Sequence, residues 1–144
     1  MKRIVGNIGA LPLPDGKFAF GRVLVHSNVE FYRHIGISED SLPADREVWF
    51  TVCCHVSFFR HMTLVGKRSF ADENEKYPPC KYIYDVIGKS YSLYTPQGDI
   101  VPSDYEHCRG LERASVWEYE HIIDRIMGTG RFPSLILGHD LSQD

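Results

Sequence analysis

Long apolar runs are missing from this chain of 144 residues. Nowhere do about 18 or more apolar residues follow one another, so a membrane-spanning helix is excluded. Met1-Lys2-Arg3-Ile4-Val5-Gly6 has two basic residues but no apolar stretch of signal-peptide length, and the expected location is therefore the cytoplasm. Asn7, Asn28 and Asn74 each lack Ser or Thr two places on, so no glycosylation sequon exists. The four cysteines, Cys53, Cys54, Cys80 and Cys108, contain no Cys-x-x-Cys pair, and reduced thiols are expected. A large charge of one sign is absent too. The 16 Lys and Arg against 19 Asp and Glu leave −3, which disfavours a dedicated nucleic-acid binder.

Motifs of catalysis are equally scarce. There is no Walker or dinucleotide fingerprint, no Gly-x-Ser-x-Gly elbow and no His-Glu-x-x-His. Gly128-Thr129-Gly130-Arg131 follows a predicted helix, whereas phosphate-binding glycines precede one. The seven histidines do not form close ligand pairs. Glu118-x-x-His121 has the spacing of a di-metal ligand pair, but such sites need matching motifs on partner helices. Neither a metal nor a cofactor is expected, and the chain is not read as an enzyme. Cys108, between His107 and Arg109, has the most electropositive setting of the thiols and is the one candidate for a Cys/His hydrolase.

What is present reads as a mostly β domain. Hydrophobic residues make up 43%, close to the globular average, which argues against disorder. Ile8 to Leu13, the turn Pro14-Asp15-Gly16 and the alternating return Phe18 to Val25 predict a hairpin, with Gly21 marking a bulge or bend. Pro12 and Pro14 place that stretch at an edge or bend. Residues 26–46 read as irregular or as a short helix. Glu47–Val56 is a β-branched and aromatic run, a strand covered on both faces, and Phe58–Val65 extends it or forms the next strand.

A polar loop over Phe70–Pro79 follows, then strands from Lys81 and from Ser90, joined by a two-residue connection at Gly88-Lys89. Ile100-Val101-Pro102 reads as a short edge. Ser115-x-x-Glu118 fits a capping box. Val116, Tyr119, Ile122, Ile123, Ile126 and Met127 form the apolar stripe of one helix capped by Gly128, with Glu120, Asp124 and Arg125 outward. Leu135-Ile136-Leu137 could add a final strand. The expected fold class is α+β: a single domain over 1–144, a bent antiparallel sheet forming an SH3-like, partly open barrel, and one C-terminal amphipathic helix packed on it.

Two surfaces stand out. Asp72, Glu73 and Glu75 gather in one loop, and with Glu39 and Asp40 they predict a negative patch able to steer a basic partner. Tyr82, Tyr84, Tyr91 and Tyr94 fall on one hairpin, as core, as a protein interface or as a stacking platform for bases. In the nucleic-acid alternative, a small barrel that binds or cleaves nucleic acid, Arg22, Arg60, Lys67 and Arg68 form the contact face.

The opening segment Gly6-Asn7-Ile8-Gly9-Ala10-Leu11-Pro12-Leu13-Pro14-Asp15-Gly16-Lys17-Phe18-Ala19-Phe20-Gly21-Arg22-Val23-Leu24 resembles the start of the immunity protein 26 family. Asn7 stands where the family often has Asp, and Gly9 where an aromatic residue is common. The likeness covers roughly the first 20 residues and extends beyond them only in overall length and β-then-helix order. It implies a bacterial immunity protein of a polymorphic or contact-dependent toxin system, binding a cognate toxin domain in the cytoplasm and occluding its active or substrate site. If that toxin is a nuclease, the acids would occupy its basic groove as phosphate mimics. No catalytic residue carries over from the family.

Overall fold

The computed structural model describes residues 1–44, 47–131 and 136–138. They group into two compact units, Met1–Pro78 with Val116–Phe132, and Pro79–Ser115 with Pro133–Asp144. The protein is mixed α+β, mostly strand with a few short helices, and its sheets are not closed into a barrel.

The first unit holds β1 (Asn7–Pro12), β2 (Phe18–Val23), β3 (Asn28–Tyr32), β4 (Val48–Cys54), β5 (Thr63–Lys67) and the two-residue β9 (Val116–Trp117), in the order β5-β1-β2-β3-β4-β9. The β1–β2 hairpin forms as its turn residues predict, closed by Leu13 N–H to the Lys17 carbonyl and Gly16 N–H to the Leu13 carbonyl. It is not at an edge, because β5 covers Asn7 to Ala10 and leaves only the Pro12 end unpaired on that side. Gly21 is not a bulge. It pairs in register with Gly9 and Phe31, and a Cβ there would lie 2.5 Å from Val29 Cγ1. The glycine serves close packing, and the irregularities fall between Ile8 and Gly9 and between Phe31 and Tyr32.

β3 lies within the stretch expected to be irregular, and all five of its residues are buried. One face of the sheet carries Leu11, Ala19, Val23, Val29, Phe31 and Val52, packed with Phe58 and Phe59 of a 3-10 segment (Val56–His61) and with Ile122. That 3-10 segment replaces most of the strand expected over Phe58–Val65; β5 begins only at Thr63. A smaller cluster of Ala10, Phe20 and Tyr32 lies apart from it.

Helix α2 (Tyr119–Met127) packs Ile122, Ile123, Ile126, Met127 and Tyr119 on the larger core. It starts later than the Ser115 capping box implies, since Val116 and Trp117 are drawn into β9 beside Cys53 and Cys54. Glu118 is the N-cap instead, exchanging hydrogen bonds with His121, and Gly128 closes the C-terminus with φ 69°. Asp124 does not look outward. It is 2% exposed and its carboxylate accepts the Arg131 N–H. Arg125 lies over the Phe50 ring, 4.1 Å from its centroid.

The second unit contains β6 (Lys81–Asp85), β7 (Ser90–Tyr94) and β8 (Ile100–Ser103) in an antiparallel sheet, and helix α1 (Tyr105–Cys108). A second helix was not expected. Asp104 caps α1 by accepting the His107 N–H. The β6–β7 connection has four residues, Val86 to Lys89, because Asp85 and Ser90 still pair. The Thr95 N–H to Asp99 carbonyl bond sets the alternation that follows, so the backbone groups of Ile100 and Pro102 face the open edge. Pro102 has no N–H to offer there, which blunts the edge against strand addition. Ile136 bridges Glu112, and Leu135 of the expected final strand lies outside the described residues.

Candidate functional site

A row of facing residues crosses the first sheet: Gly66 opposite Ile8, Ile8 opposite Arg22, Arg22 opposite Glu30, Glu30 opposite Thr51. Two of these positions are charged and buried. Arg22 is 3% exposed and Glu30 7%. The Arg22 guanidinium donates from Nε to Glu30 Oε1 at 2.6 Å, from Nη2 to Glu75 Oε1 at 2.8 Å and from Nη1 to the Ser69 carbonyl at 3.2 Å. Its Cζ lies over the Phe70 ring, 4.4 Å from the centroid. Beside it, Arg68 donates to Tyr32 Oη at 3.2 Å and to the Pro43 carbonyl at 3.1 Å.

Burial and partners pull these groups in opposite directions. Burial lowers the Arg22 pKa, but the hydrogen bond it donates to Glu75 and the charge of Glu30 more than offset it and hold the group above its ordinary value. For Glu30 burial wins: its carboxyl is raised above the usual range despite Arg22. Burial likewise raises the Tyr32 phenol.

The cluster decides what the acidic loop can do. Glu75 is not a free surface acid: it accepts from Arg22 with one oxygen and from the Ala71 N–H with the other. Asp72 Oδ1 accepts the N–H groups of Asn74 and Glu75, which folds the loop into a turn. Glu73 is exposed and pairs with Lys76 on its own loop. The loop is thus tied down at Glu75 and presents Asp72 and Glu73 to solvent. Glu39 and Asp40 are both exposed in a separate turn.

The basic face of the nucleic-acid alternative is not assembled. Arg22 is buried and held by Glu30, Ser69 and Glu75, and Arg68 is occupied by Tyr32 and Pro43, leaving Arg60 and Lys67 exposed. Cys108 is not a loop thiol either. It is buried in α1, its Sγ 3.8 Å from the Ser92 carbonyl oxygen. All four cysteines are free thiols, and burial pushes that of Cys54 well above the ordinary value. Among the described residues, no group of three or more His, Cys, Asp or Glu side chains is arranged to hold a metal ion.

Sequence reasoning had no access to the Arg22–Glu30–Glu75 cluster. The one available signal was a lone Arg and a lone Glu, eight residues apart, each in a locally apolar stretch. No helix among the described residues is long and apolar enough to cross a membrane. The chain matches no family model, no curated protein and no solved structure.

Proposed function

We propose that this chain is an immunity protein, a cytoplasmic binding protein that neutralises a cognate toxin domain by covering its active or substrate site. The observation that carries the proposal is the acidic loop, held by Arg22 through Glu75 while Asp72 and Glu73 point to solvent. A loop already ordered before binding loses less conformational entropy on association. Its carboxylates would attract a basic groove such as that of a nuclease. Glu39 and Asp40 extend the acidic character of the same unit. The chain itself acts by binding, not by catalysis.

The SH3-like reading of the fold belongs to the same proposal. Support comes from the antiparallel order β5-β1-β2-β3-β4, in which the last strand returns to pair with the first after a 3-10 turn.

Co-expression tests the function. The full chain should restore growth to bacteria producing the toxin domain encoded beside its own gene. The triple variant Glu39→Lys, Asp40→Lys, Glu73→Lys should protect at least tenfold less while remaining folded. Glu75 is left intact because its reversal would disrupt the Arg22 cluster. Failure of the wild-type chain to protect, or equal protection by the folded variant, would overturn the reading.

A further inference from the structure

A cavity of about 310 Å³ opens in the first unit beside the turn Val25–Ser27, which joins β2 to β3. Arg3, Val5, Leu24, His26 and Ser27 line it, and none of the five is acidic. The turn is strained. His26 and Ser27 have φ of 57° and 63°, two successive non-glycine residues in the left-handed region. Their surroundings hold them there. The buried Asn28 donates from Nδ2 to the Val25 carbonyl at 3.0 Å and to the His26 carbonyl at 3.3 Å. The Val25 N–H donates to the Lys76 carbonyl, and the Cys53 thiol lies 3.6 Å from the His26 carbonyl oxygen. Backbone strain that is over-determined in this way clusters where side chains are kept in place for a ligand.

The side chains select that ligand. Arg3 Nη1 donates to Ser27 Oγ at 2.5 Å, which brings the guanidinium to the turn and leaves the hydroxyl proton free to donate elsewhere. No carboxylate pairs with Arg3 among the described residues, and the His26 ring makes no hydrogen bond among them. A guanidinium fork, a hydroxyl and an imidazole N–H therefore border one cavity as donors for an anion. A phosphomonoester offers three terminal oxygens to these three groups, and a carboxylate only two. Val5 and the buried Leu24 add an apolar lining. The volume exceeds what a bare phosphate fills and lies at the low end of small-molecule sites.

We propose that this cavity is a binding site for a small organic phosphomonoester, its phosphate held by Arg3, His26 and Ser27 and its body against Val5 and Leu24. The site is independent of the toxin-binding reading, because it uses none of the outward acids.

The test titrates the isotope-labelled full chain with phenyl phosphate, inorganic phosphate, benzoate and phenol. Phenyl phosphate should shift the resonances of Arg3, Val5, Leu24, His26 and Ser27, and should bind more tightly than the other three. Arg3→Met keeps the stem and removes the charge, and should weaken phenyl phosphate binding by about tenfold or more, the scale of a charge-assisted hydrogen bond. Ser27→Gly should weaken it by roughly fivefold while the thermal unfolding midpoint holds or rises, since glycine relieves the left-handed backbone. Absence of shifts at the five residues, any of the other three probes binding as tightly as phenyl phosphate, or an unchanged affinity in either folded variant would each overturn the proposal.

Discussion

Arg22 and Glu30 lie inside a six-stranded sheet, paired across β2 and β3, whereas Asp85, Asp99, Asp104 and Glu106 belong to a three-stranded sheet and its short helix and face solvent. The first unit has a buried aromatic core, with Phe31 against Phe50 at 5.1 Å and against Phe58 at 6.2 Å. In the second, aromatic rings of the same size are left half open. A charge inside the first sheet acts by fixing a loop; beside the second, Asp104 caps a short helix at the surface by accepting the His107 N–H. Position in the fold, not residue type, separates the two uses.

Removing the cation from the buried cluster should have the largest effect. Arg22→Met leaves Glu30 buried without its partner and releases Glu75, and should cost about 3–5 kcal/mol in denaturant unfolding. A loss below about 1 kcal/mol would mean that the cluster is as solvent-screened as a surface pair, erasing the contrast between the sheets. Gly21→Ala comes next, because its Cβ would press on Val29 where β2 and β3 meet. About 1–3 kcal/mol of destabilisation is expected by the same measurement.

The smallest effects are pH dependences, and their signs differ between the units. Glu30 is raised above its unfolded value, chiefly by burial. The folded state therefore holds its proton more tightly, and its contribution to stability is fully present below the unfolded value and lost as pH rises through the raised one. Asp104 is lowered, first by the His107 N–H and then by the His107 side chain. Its contribution is present above the unfolded carboxylate value and lost as pH falls through the lowered one. Stability curves against pH should lose the first slope in Glu30→Gln and the second in Asp104→Asn. Slopes of the same sign would show that the two sheets do not differ in this way.

The hairpin of β1 and β2 was legible because Pro14-Asp15-Gly16 dictates a turn whatever surrounds it. So was the apolar stripe of α2, whose period is local. β3 was not, because Asn28 and Glu30 interrupt the continuous apolar run that marks a strand covered on both faces, and Glu30 is tolerated there only through Arg22 on the neighbouring strand. The start of α2 was misplaced for a related reason: Ser115 is a good cap, but pairing of Val116 and Trp117 with β4 takes precedence over local preference. In the acidic loop, Asp72, Glu73 and Glu75 look alike as letters. Only the arginine, 53 residues before Glu75, sets one apart as an anchor. The tyrosines of β6 and β7 were visible as a group, but Tyr105 joins them through a helix whose Asp104 cap was overlooked.

The functional account rests on the outward acids of an anchored loop. Its most direct measurement is the calorimetric affinity of the full chain for the cognate toxin domain at low and high salt, beside the Glu39→Lys, Asp40→Lys, Glu73→Lys variant. The prediction is one-to-one binding that weakens with salt in the wild type, at least tenfold weaker binding in the variant, and a shallower salt dependence there. No binding by the wild-type chain, or an affinity and salt slope unchanged by the three reversals, would contradict it.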